Sequence, residues 1–433
     1  MLASGVIASI IFFPVTLLRK SIKIQNGDST MSRLNQLAVC LVALFAMGSA
    51  SAQTADDRTD EITPETTSAP VAHVYINSGS KILAYTAAAN GKLTAVPGSP
   101  FNYNISLSGA NGHFLFGFEP SSVVIDSLSM AANGALKKVT TTNPQKSWPD
   151  PSCPIASDNG QGLKIDHSGL DLYNAGIPDE FGCYSAFQSF KIDDANGKLT
   201  YLGETDGIFN GGPQMSILGN NDFAYSVVCE FPFGNGATPE LTVFQRLSSG
   251  ELVTAKAGVA VPAAPVNPAE GVAGYYCPIS MATDPTNHAA ITFQAWDSEG
   301  DDTYGPIVIA TYTADSKGNL KTTSTYKNMA VSAAGGTTMR MSPSGKILAV
   351  NGSGLELYHF NGGSPLTKYK FFTNSELNGS ALWDNANHMY VLGSDSKGGK
   401  LWVYTVTPTS ITEAPGSPYS IANAGGMYVQ PLP

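Results

Sequence analysis

Apolar and polar residues alternate along most of this chain, in short runs that end on a small turn. The run "KILAYTAAANGKL" closes at Leu93, "SVVIDSLSMAANGAL" at Leu136 and "SAFQSFKIDDANGKL" at Leu199. The same phrase returns as "ELTVFQRLSSGEL" at Leu252, "PIVIATYTADSKGNL" at Leu320, "GLELYHFNGGSPL" at Leu366 and "KLWVYTVTPTSI" at Ile411. Period-two alternation followed by Gly, Asn or Ser predicts a β-hairpin each time. Upstream of the last six lies a second hairpin signal, as in "PSGKILAVNGSG" and "ANHMYVLG". Each unit therefore holds four strands, here lettered a to d from the ring axis outward.

The first unit has only half of its upstream hairpin, "HVYINSGS", and "AGGMYVQPLP" at the C-terminus supplies the missing strand. Seven units with one divided between the ends predict an all-β fold: a seven-bladed β-propeller of four-stranded antiparallel blades, closed by the C-terminal strand pairing into blade 1. A pair of β-sandwiches is the alternative, and seven in-phase copies argue against it. The phrase PGSP stands at Pro97–Pro100 and again at Pro415–Pro418. On this scheme the two copies mark the d-strand exits of blades 1 and 7, neighbours across the seam.

The turns between strands a and b, and between c and d, are all short. The long segments (Thr141–Gly162, Ala175–Tyr184, Cys229–Pro239, Thr254–Tyr276 and Gln294–Pro306) are b–c or interblade d–a connections. All five are expected on one face over blades 3 to 5, which marks that face as the recognition surface. It would present Trp148, Asp150, Asp179, Glu180, Phe181, Tyr184, Phe231, Phe233, Trp296 and Tyr304, aromatic rings flanked by carboxylates, with Glu230 beside them.

Within "WDSEGDDTYG", Asp297, Glu299, Asp301 and Asp302 form an acidic run. It could hold Ca²⁺, although it lacks the EF-hand spacing; a solvated loop is the alternative, and no other cofactor is implied. His113, His167, His288, His388 and His73 are expected at the a–b turns on the opposite face, with His359 mid-strand. No histidine then reaches the elaborated face as base or ligand. One inner-strand position differs between blades: blade 3 has Lys164 and blade 6 has Arg340, against Leu107, Ser216, Ala282 and Leu382 elsewhere. If it faces the channel, two cations approach an anion from opposite sides; bonding to inner-strand carbonyls is the other reading.

Composition fits this picture: 44 Gly, 27 Pro and 13% charged residues, with a formal net charge of −10. Lys and Arg form no cluster outside the leader, which excludes a nucleic-acid footprint and an anionic membrane surface as partners. Residues 31–52 read as a signal peptide, with Arg33, an apolar run from Leu37 to Met47, and Ala50-Ser51-Ala52 before Gln53. Residues 1–30 are either an over-extended gene start or an extra apolar segment. A disordered linker over 53–70 and a single propeller over 71–433 follow. The expected location is periplasmic or extracellular, with the mature domain a monomer that does not insert into membranes. Outside the leader stand Cys153, Cys183, Cys229 and Cys277. Their placement at neighbouring connections predicts disulfides Cys153–Cys183 and Cys229–Cys277.

The segments "MSPSGKILAVNGSGLELYHF" and "VYINSGSKILAYTAAANGKLTAVPGSPF" resemble the lactonase-type seven-bladed propellers, which include 6-phosphogluconolactonase-like and YVTN-repeat proteins. The resemblance covers about residues 71–433 and implies the fold, with lactone hydrolysis as the associated activity. Family members often carry a Pro-Arg-His run before the first turn of a blade. Here the corresponding residues are Gly336-Thr337-Thr338, Pro278-Ile279-Ser280 and Pro213-Gln214-Met215, without Arg or His. Two functions follow as expectations: a secreted module binding a small molecule, carbohydrate or protein through blades 3–5, or a lactone hydrolase at the channel mouth using Arg340, Lys164 and Glu230.

Overall fold

The computed structural model describes residues 69–147, 163–176, 185–208, 214–230, 238–269, 271–297, 302–395 and 398–432. They form seven antiparallel sheets, each with at least four strands in a–b–c–d order. The inner a strands are Ser106–Ala110, Leu163–Ile165, Gln214–Ile217, Gly274–Thr283, Thr338–Met341 and Ala381–Trp383 in blades 2 to 7. Blade 1 takes its a strand from the C-terminus: Ala424–Pro431 pairs antiparallel with Ala72–Ser78, Tyr428 opposite Tyr75 and Val429 opposite Val74. The seven-bladed ring and its C-terminal closure are as the hairpin phase predicts.

Strand alternation puts apolar side chains on both faces of every blade, so the blades must bury each other. Seven apolar clusters result, one between each neighbouring pair of blades, including the seam between blades 7 and 1. Polar cross-blade bonds reinforce them. The b-strand tyrosines Tyr75, Tyr173 and Tyr225 donate to the carbonyls of Gly134, Gly250 and Gly318 at 3.1, 2.9 and 2.9 Å. Those glycines occupy the c–d turns of the next blade with φ of 83°, 96° and 83°, a conformation side-chain-bearing residues rarely adopt. The recurring turn glycine therefore serves the hairpin and the blade interface together.

Both copies of PGSP build one structure. Val96 and Ala414 each donate a backbone bond to strand c of their own blade, at Ala84 and Val403. Ser99 Oγ then accepts the Ala84 N–H at 2.9 Å, and Ser417 Oγ accepts the Val403 N–H at 3.0 Å. The serines thus satisfy amides that strand d has left, as a buried ladder requires. Beyond them Phe101 bridges back to Ile82, and Tyr419–Ile421 pairs with strand c of blade 7. The Leu93 N–H of blade 1 donates to the Tyr419 hydroxyl at 2.9 Å, joining the two motifs across the seam.

Two of the expected loops begin and end as strand among the described residues. In blade 5 the b and c strands run on to Asp297 and from Thr303, with Trp296 opposite Thr303, so Trp296 and Asp297 lie on a long hairpin. In blade 4 Glu230 pairs with Thr238. The period-two pattern of "ITFQAWD" carries strand b on to Asp297, with a shift in the b–c register between Phe293 and Ala295. The Thr254–Tyr276 connection lies along the outer edge of blade 5, where Val259 bridges Leu320 and Ala255, Ala257, Val259 and Ala264 pack on the blade 4–5 core. A disulfide joins Cys229 at the end of blade 4 strand b to Cys277 in blade 5 strand a, with Cα atoms 5.2 Å apart. Cys153 and Cys183 lie outside the described residues.

Candidate functional site

The seven inner strands enclose a channel whose cavity is about 960 Å³. Leu107, Lys164, Ser216, Ala282, Arg340, Leu382 and Tyr428 all line it. The inner-strand position that carries Lys164 and Arg340 is therefore a channel position. Blade 1 adds Tyr428, which the sequence pattern missed: its a strand has no following a–b turn from which to count. Next to these residues Met215, Met281, Met339 and Met427 are buried in the clusters between blades. These methionines border the cavity as well, and Leu107 and Ala282 themselves belong to interblade clusters, so the inner strands serve channel and core together.

Lys164 and Arg340 stand on blades 3 and 6. Among the described residues neither forms an ion pair. Arg340 gives one N–H to its neighbour Met339's carbonyl at 2.9 Å, out of five guanidinium donors. Both side chains are crowded by protein atoms yet keep some solvent-reached surface. Burial, and then the charge of Arg340, holds the Lys164 pKa down to about 7. Burial also lowers Arg340, which nevertheless remains a cation. The Tyr428 hydroxyl donates to Ala110's carbonyl at 3.1 Å; burial raises its pKa, and the Arg340 charge opposes that rise.

The other ionisable groups at the channel are held by partners. Asp166 accepts the backbone N–H of Leu170 and of Asp171, each at 3.0 Å, and the Asn221 amide at 3.2 Å. It also pairs with Arg246 at 3.1 Å. His167 sits 3.2 Å from the Ile217 carbonyl. Elsewhere the histidines serve turns: His288 and His388 lie 3.0 and 2.8 Å from Asp284 and Asp384, while His73 is buried and His359 stacks on Tyr369.

Of the elaborated face, Trp148, Asp150, Asp179, Glu180, Phe181, Tyr184, Phe231 and Phe233 lie outside the described residues, and only the backbone of Glu230 is described. Tyr304 is partly buried on the blade 5 hairpin and donates to Pro265's carbonyl at 2.5 Å. Of the acidic run, Asp297 is buried and Asp302 exposed; Glu299 and Asp301 are not described. Among the described residues no three His, Cys, Asp or Glu side chains are grouped to hold a metal ion.

No family model matches the chain, and no curated protein matches it. Its fold is similar to solved structures. A functionally unknown protein from Desulfotomaculum acetoxidans aligns at 12% identity and a TM-score of 0.53, over 83% of this chain and 98% of that one. A hypothetical selenium-binding protein from Sulfolobus tokodaii aligns at 10% identity and a TM-score of 0.51, over 84% and 94%. The periplasmic gluconolactonase of Pseudomonas aeruginosa aligns at 12% identity and a TM-score of 0.46, over 81% and 83%. At these identities the likeness is one of fold, that of a seven-bladed propeller, and the chemistry must be read from this chain's own residues.

Proposed function

We propose that the protein is a ligand-binding propeller whose central channel takes a small anionic molecule, a carboxylate or phosphate of sugar-acid size. One observation carries this reading: Arg340 and Lys164 line a single channel from opposite blades, with no ion-pair partner among the described residues. Buried cations without a counter-charge are costly to a fold, and a bound anion would supply the missing half. Arg340 offers planar donors to a carboxylate, and Lys164 a second, adjustable contact. The Cys229–Cys277 disulfide fits an oxidising compartment. Titration calorimetry of the mature domain with gluconate, 6-phosphogluconate and inorganic phosphate tests it. Binding that weakens at least tenfold in Arg340→Met supports the channel site. Absence of binding by all three anions at millimolar concentration overturns it.

Lactone hydrolysis is the second reading, favoured by one feature: a Lys164 amine that titrates near neutrality can take a proton from water. A pH-stat assay on gluconolactone and 6-phosphogluconolactone decides it. Turnover abolished by Lys164→Met would place hydrolysis ahead of binding.

A further inference from the structure

The binding reading gives Arg340 an obvious task, holding an anionic group. It leaves Lys164 with chemistry that charge attraction does not use. A lysine placed to bind anions alone keeps its ammonium, and surface lysines do so because water solvates them. Lys164 stands inside the channel, away from any carboxylate partner among the described residues, and shares that enclosure with a second cation. Both conditions disfavour the ammonium and leave a fraction of free amine at neutral pH. Desolvation and a neighbouring cation are the two devices by which lysine becomes a carbon nucleophile. The walls suit such a reaction: Leu107, Ala282 and Leu382 are apolar members of the same ring of positions, and Ser216 and Tyr428 bring hydroxyls.

We infer that the channel takes oxo acids, molecules carrying a carbonyl beside or near a carboxylate, and that Lys164 forms a reversible imine with that carbonyl while Arg340 holds the carboxylate. This rests on the anion-binding reading above and narrows its ligand class. The Lys164 Nζ lone pair forms the C–N bond, and the carbonyl π pair moves to oxygen. The oxygen then leaves as water with the two amine protons, and the imine nitrogen can take a proton from solvent. No oxidant, metal or further reactant enters. Arg340 sets selectivity, since a simple aldehyde reaching Lys164 would lack the group the guanidinium holds.

The test incubates the mature protein with glyoxylate or pyruvate and sodium cyanoborohydride near pH 7.5, followed by peptide mapping. Trapped adduct on Lys164 at ten times or more the rate of the exposed Lys327 and Lys321, with competition by lactate, is the expected result. Lactate has the carboxylate without the carbonyl, so it occupies the site without reacting. In Arg340→Met, glyoxylate should lose its advantage over propanal at Lys164, a readout that loss of folding would not imitate. Even labelling of all lysines overturns the imine. So does an unlabelled Lys164 in a protein that still binds lactate or gluconate, and that outcome leaves the anion site standing. Failure of every anion to bind removes both.

Discussion

Two residues apart on blade 3, two charged side chains meet opposite fates. Asp166 joins Asp171, Arg246 and Lys191 in a cluster where both carboxylates are fully buried; Lys191 reaches Asp171 at 2.9 Å. Arg246 comes from blade 4, so the cluster pins two blades together. Gly250 belongs to it as well, because any Cβ there would collide with the Asp171 carboxylate. Lys164 lines the channel, where the charge that acts on it, that of Arg340, is a like one. The first arrangement is what a fold does to keep buried charge. The second leaves a charge that no described residue balances, which is the arrangement the proposed anion would complete.

The sharpest way to break the contrast is on the paired side. Arg246→Met should leave buried Asp166 without a cation and Asp171 with Lys191 alone, and should cost about 3–5 kcal/mol, seen as a lowered midpoint in denaturant unfolding. A smaller effect of opposite sign is expected at the unpaired side: Lys164→Met should stabilise the ligand-free protein by about 1–3 kcal/mol at pH 7. The pH dependence sharpens this. The folded pKa of Lys164, about 7, lies below its ordinary value of 10.5, so the unfolded chain holds the extra proton between those limits. Wild-type stability should therefore rise relative to Lys164→Met as pH increases from about 7 toward 10, closing the gap, with no change in the gap below pH 6. A constant gap across this range would remove Lys164 from the channel's electrostatics. Smallest of all, Ser417→Ala should cost about 1 kcal/mol by leaving the Val403 amide unpaired, and should speed its hydrogen exchange.

The architecture was readable because every blade repeats one local instruction, an alternating hairpin closed on glycine. The channel position was readable too, since counting back from the a–b turn fixes the phase of each inner strand and placed Lys164 and Arg340 in register. What escaped were side-chain pairings between distant segments that neither the repeat phase nor the cysteine positions announce. Arg246 is 80 residues from Asp166 in sequence, and nothing local announces their pairing. Tyr428 escaped because blade 1 is cut at the turn that would have given its phase. Trp296 and Asp297 were assigned to a loop by the length of the segment between recognisable turns, whereas the alternation itself continued and the strands followed it. The Thr254–Tyr276 segment failed similarly: its small apolar residues serve the edge of blade 5, a burial that only the packed ring reveals.

The closure of blade 1 has a bearing on time as well as on shape. Strand Ala72–Ser78 is made well before its partner Ala424–Pro431, so the first blade waits through synthesis of the other six with one edge bare. Tyr428, one wall of the channel, arrives with that final strand. A chain stopped before Ala424 could still stack most of its blades, but it would have an open ring and no enclosed channel.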